Sequence, residues 1–137
     1  MNYLKTIEHE VSRWPHVSLH EHRFGGKEFR FRRAEIGHLH LNGVLDIPFT
    51  RRIRDALIEH GLVEVHRYVP DSGWATFRIR SEADVERGLK LLRLSYVRYL
   101  LKTDADPVGL WAQESPALQL PVTIETLLSP QLMSRKQ

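Results

Sequence analysis

The chain has 137 residues, a net charge of +3, 42% hydrophobic and 27% charged residues, the proportions of one ordinary globular domain. No apolar run approaches the roughly 18 residues of a membrane span, and Met1-Asn2-Tyr3-Leu4-Lys5 has no secretory core. The expectation is a cytoplasmic protein that engages no membrane. Cysteine is absent, which removes disulfides, thiolate nucleophiles and thiolate metal sites.

Taken in order, residues 2–14 read as an amphipathic helix, with Leu4, Ile7, Val11 and Trp14 at helical spacing and Pro15 as its stop. His16 to Phe24 alternates as a strand, Gly25-Gly26 signals a hairpin, and Lys27 to Arg33 is the returning strand. A third strand carries Leu39 and Leu41 opposite His38 and His40, and Asn42-Gly43 turns the chain into Val44 to Ile47. A helix follows Pro48, with Thr50 as N-cap, Ile53, Ala56 and Leu57 as its buried stripe and Gly61 just past its end. Leu62 to Val69 and Trp74 to Arg80 form a second hairpin around Pro70-Asp71-Ser72-Gly73. Its inward side chains are expected to be Val63, Val65, Ala75, Phe77 and Ile79. Ser81 and Asp84 open a last long helix ending near Lys102.

The expected fold is α+β, in the order α-β-β-β-β-α-β-β-α. An antiparallel sheet of five to six strands carries helices on one face and leaves the other open. Residues 1–102 form this domain. Residues 103–137 read as an extension with one short helix around Val122 to Leu128, wrapping the domain or a partner copy and so offering a route to a homodimer.

Half of the eight histidines lie in two strand-spaced pairs, His20 with His22 and His38 with His40. Alternate residues of a strand share a face, so each pair projects together. Two pairing registers remain open. A three-residue turn with a glycine bulge sends Phe29 and Phe31 to the core and stands Arg30 and Arg32 between the pairs. A two-residue turn places the phenylalanines there instead. The first keeps every apolar set inside and is preferred. The candidate ligand-binding face then comprises His20, His22, Arg30, His38, His40, Asp46, His66, Tyr68, Trp74 and Arg78.

Guanidinium groups among imidazoles favour a phosphate or carboxylate over a cation. The leading reading is therefore a small anionic or phosphorylated ligand, with Trp74 as a stacking wall. Strands one and three of a meander lie roughly 9–10 Å apart, too far for all four imidazoles to share a zinc ion, and no metal ligand is assigned. A metal-dependent enzyme using His38, His40, Asp46 and a bound water is an alternative. So is a nucleic-acid-binding module using Arg51, Arg52 and Arg54 against phosphate and Tyr68 and Trp74 for stacking. No P-loop, dinucleotide-binding glycine fingerprint, HExxH or nucleophile-elbow motif occurs, so neither a catalytic residue nor a cofactor is named. Imidazoles beside arginines are expected to titrate below about 6.5.

His22-Arg23-Phe24-Gly25-Gly26, Glu35-Ile36-Gly37-His38-Leu39-His40, Asp46-Ile47-Pro48-Phe49, Pro70-Asp71-Ser72-Gly73-Trp74 and Leu92-Arg93-Leu94-Ser95-Tyr96 together resemble the small bacterial "luciferase family" domain, over roughly residues 16–101. That resemblance implies no defined activity, and no flavin or luciferin site is recognisable. The helix–Gly61–strand pattern, Gly73-Trp74 and Ser95-Tyr96 are more faintly similar to YjbR-like domains, whose α+β fold is compared with double-wing DNA-binding domains.

Overall fold

A computed structural model describes residues 2–130. Helix α1 (Tyr3–Ser12) starts where the Asn2 side chain accepts the amides of Leu4 and Lys5, and it buries Ile7 and Val11. Strands β1 (Val17–Glu21), β2 (Lys27–Phe31), β3 (Ala34–Leu39) and β4 (Val44–Pro48) follow as a meander. Helix α2 (Arg51–Glu59), capped by the Thr50 hydroxyl, leads to β5 (Glu64–Val65) and β6 (Trp74–Arg78). Helices α3 (Glu82–Thr103), α4 (Pro107–Leu118) and α5 (Val122–Leu128) complete the order.

The six strands form one antiparallel sheet in the order β1-β2-β3-β4-β6-β5. Helices α1 and α3 pack against one face of it. Phe29, Phe31, Leu39, Leu45, Ile47 and Ala75 are buried there with Leu92, Tyr96 and Val97 of α3. At about 25 cal/mol per Å² of apolar surface, this layer is the main stabilising contribution. Both β2 phenylalanines are therefore in the core, as the preferred register anticipated. Gly37 lets the helix approach, because a Cβ there would stand 2.6 Å from Leu92 Cδ2. The α+β class and the element order match the expectation, with α4 added.

Besides β1, which ends at Glu21 rather than running to Phe24, two elements differ from the sequence expectation. The strand expected over residues 62–69 is formed only at Glu64–Val65. The Tyr68 amide donates to His66 Nδ1 and turns the chain away, leaving Val65 45% exposed at the sheet edge rather than inward. Helix α4 was not expected in the tail, because Pro116 lies inside it. It forms nonetheless, with Pro107 in the first turn and Asp106 accepting the Gly109 amide. Trp111 and Leu118 are buried as it packs on α3, and Arg93 makes a forked ion pair to Glu114 at 2.8 and 3.0 Å. Helix α5 matches its expected range and packs on α2. Residues 131–137 of the expected extension lie outside the described residues.

Candidate functional site

On the face away from α1 and α3, Cα pairing aligns one transverse row: His20, Glu28, His38, Asp46, Thr76 and Glu64. Glu28, and not an arginine, stands between the two histidine strands. Arg30 is two residues further along β2 and pairs with Glu28. Arg32 leaves the face altogether, in the β2–β3 turn at φ +56°, with its guanidinium 5.4 Å from the Phe31 ring centroid.

The centre of the row is Asp46, a buried carboxylate. Its Oδ2 accepts from His38 Nε2 at 3.1 Å and His40 Nε2 at 2.9 Å, and its Oδ1 accepts from the Thr76 hydroxyl at 2.7 Å. His66 Nε2 stands 3.6 Å from the same Oδ2. His38 Nδ1 donates to Glu35 Oε2 at 2.7 Å, so both of its nitrogens face carboxylates. Glu35 reaches His38 because Ile36 is an extra residue in β3, a bulge opposite Phe29 and Arg30 that offsets the alternation.

His22 joins from outside the sheet. The chain leaves β1 at Glu21, and His22 opens a 3-10 turn (Arg23–Gly25) that folds back over the third strand. Its ring stacks on His38 with centroids 4.0 Å apart, and its Nδ1 lies 3.4 Å from Glu28 Oε1. One ring nitrogen from each of His22, His38 and His40 lies within 4.8 Å of the other two. The strand spacing that argued against a shared ion applies to His20, which remains in β1, and not to His22.

Electrostatics at the centre reverse the sequence expectation. Burial alone would lower the His38 pKa, but the hydrogen bonds it donates to Asp46 and Glu35, with their charges, push it up to about 9. Burial would likewise raise Asp46, yet hydrogen bonds from His38, Thr76 and His40 hold its carboxyl well below the usual carboxylate range. Glu28 is also lowered, burial being outweighed by Arg30 and His22. The His38 imidazole answers to carboxylates, not to arginines.

Of the ten expected residues, His22, His38, His40, Asp46 and His66 converge. Trp74 borders them, its ring centroid 5.3 Å from His38 and 6.1 Å from His66. It is held there by Gly73, where a Cβ would strike the Phe49 carbonyl oxygen at 1.8 Å. His20 shares the face but turns to Ser18 Oγ at 2.7 Å. Tyr68 is 78% exposed beyond His66, and Arg78 pairs with Glu64 at 3.2 Å. Glu28, Glu35 and Thr76 were missed. Strand parity put Glu28 and Thr76 on this face, whereas nothing in the sequence marks the bulge that delivers Glu35.

The second arginine cluster has a structural use. Arg51 donates to the Asp71 carbonyl, and Arg54, 8% exposed, donates to the Pro70 carbonyl at 2.5 Å and to Asp55. The bonds to the Asp71 and Pro70 carbonyls tie α2 to the loop that precedes Trp74.

Comparison with known families adds one finding. Residues 33–95 match the family model described as Luciferase domain. The resemblance read from the motifs is thus borne out over β3, β4, α2, β5, β6 and most of α3, a segment that includes His38, His40, Asp46, His66 and Trp74. His22 and Glu28 precede it. No curated protein and no solved structure matches the chain.

Proposed function

We propose that this domain binds a small anionic ligand through a first-row divalent metal ion held by His22, His38 and His40 beside the Asp46 carboxylate, with the fourth position open to the ligand. One observation carries the reading. His22 and His38 both present Nδ1 to a carboxylate, Glu28 and Glu35, and this fixes the tautomer that leaves Nε2 for a metal. Two nitrogens bound to one tetrahedral ion at about 2.0–2.1 Å lie about 3.3 Å apart. The three ring nitrogens, all within 4.8 Å of one another, reach that spacing if each pair closes by no more than about 1.5 Å.

The charge balance supports a cation at the centre. Glu28, Glu35 and Asp46 surround the imidazoles, while Arg30 and Arg78 are paired with Glu28 and Glu64. An anion meeting this face directly would face three carboxylates. A metal ion changes the sign: it replaces the proton between His38 Nε2 and Asp46 and leaves a coordination position for a ligand carboxylate or phosphate oxygen. Trp74 supplies an aromatic wall beside that position. A nitrogen- and oxygen-rich set without thiolate suits zinc and the neighbouring transition ions rather than magnesium or calcium.

Thermal denaturation with zinc and phosphate, added singly and together, tests the reading. Zinc should raise the Tm of the wild type, and phosphate should raise it further only when zinc is present. His38→Ala/His40→Ala should respond to neither. Stabilisation of the chelator-treated protein by phosphate alone would return the site to direct anion binding.

A further inference from the structure

Away from the histidine face, α2, α3 and α5 line a cleft of about 470 Å³. That volume lies within the range of small-molecule sites, roughly 300–1,000 Å³. Its walls are apolar: Ile53 from α2, Leu101 from α3, and Leu127 and Leu128 from α5. Its charged lining is of one sign. Arg52, Arg98 and Lys102 border it, and none of the described residues that line it is acidic. The nearby Asp104 and Asp106 side chains accept backbone amides of the α3–α4 turn.

Two of the three cations are held in place. The Arg98 guanidinium and Lys102 Nζ lie 4.7 and 5.1 Å from the centroid of the Tyr99 ring. Arg98 Nη2 donates to the Pro48 carbonyl at 3.0 Å, whereas its buried Nε has no partner among the described residues. A buried donor without an acceptor is unusual. Three like charges beside an apolar floor also repel one another unless an anion comes between them.

We propose that this cleft is a second binding site, for a monocarboxylic acid with an apolar body. The aliphatic or aromatic part would lie against Leu101, Leu127 and Leu128. The carboxylate would sit among Arg52, Arg98 and Lys102, where Arg98 offers a planar guanidinium suited to it. An alcohol of the same length gains only the apolar contact.

Decanoate below its micellar concentration, titrated calorimetrically into the full chain, tests the proposal, with decanol as the uncharged control. One saturable decanoate site is expected, at least tenfold tighter than decanol. Arg98→Gln and the surface pair Arg52→Gln/Lys102→Gln should each weaken decanoate at least tenfold and leave decanol unchanged. His40→Ala should bind decanoate like the wild type. The surface pair keeps the test decisive if Arg98→Gln fails to fold. No saturable binding, equal affinity for decanol, or unchanged binding in the surface pair would each overturn the proposal. Loss of binding in His40→Ala would assign the acid to the histidine face instead.

Discussion

His38 and Asp46 are Cα partners on β3 and β4, and their side chains meet at 3.1 Å with 11% and 7% of each exposed. Removing one member of a buried pair leaves the other charge in a poor solvent. The loss is then several times that of an exposed pair.

Asp46→Asn is therefore expected to destabilise the metal-free protein by about 3 kcal/mol. Arg78→Ala, which breaks the exposed pair to Glu64, should cost no more than about 1 kcal/mol. Urea unfolding in the presence of chelator measures both. Equal, small losses would mean that Asp46 is effectively solvated.

The same pair sets a pH dependence for the metal-free protein. His38 titrates at about 9 when folded against 6.5 when unfolded, so the native state holds its proton more tightly. Its stabilisation is fully present below about 6.5 and is lost as pH rises through about 9. Asp46 is depressed, so its share is present above its ordinary value of 3.8 and is lost as pH falls toward its folded pKa. Both describe one interaction and count once. The urea midpoint should form a plateau between about pH 4.5 and 6.5 and decline toward pH 9.5. His38→Gln should abolish the alkaline decline. A wild-type midpoint that rises from pH 6.5 to 9 would contradict the charge assignment.

Gly37→Ala tests the approach of α3 to the sheet. The new methyl would stand 2.6 Å from Leu92 Cδ2 and 3.2 Å from the Asp46 carbonyl oxygen. Overpacking of this kind costs about 2 kcal/mol. Leu92→Ala combined with Gly37→Ala should destabilise by less than the sum of the two single losses, whereas independent positions would add. Double-mutant unfolding gives the coupling.

Much of the architecture was legible because alternation and turn residues are local. Val17 and Leu19 opposite His20, Phe29 and Phe31 opposite Glu28 and Arg30, and Leu39 opposite His38 assign the faces of the first three strands. What was not legible depends on single-residue departures from regularity. His20 and His22 share a parity, yet only His22 leaves the strand and folds over His38. Glu35 has the wrong parity for His38, and the extra residue Ile36 corrects it. Arg32 has the right parity for the face, but the turn removes it. The site changes from arginine-rich to carboxylate-rich through these three displacements, and the sign of the His38 shift follows.

Zinc titration of the untagged, chelator-treated chain by calorimetry tests the central claim most directly. One equivalent should bind with release of protons, so that the observed heat varies with the ionisation enthalpy of the buffer. His22→Ala, His38→Ala and His40→Ala should each weaken binding by 10-fold or more, and Glu35→Gln by about 10-fold through the lost support of His38. His20→Ala, whose imidazole is turned to Ser18, should bind like the wild type. Sub-stoichiometric zinc, or equal binding by the wild type and His22→Ala, would contradict a metal centre at this face.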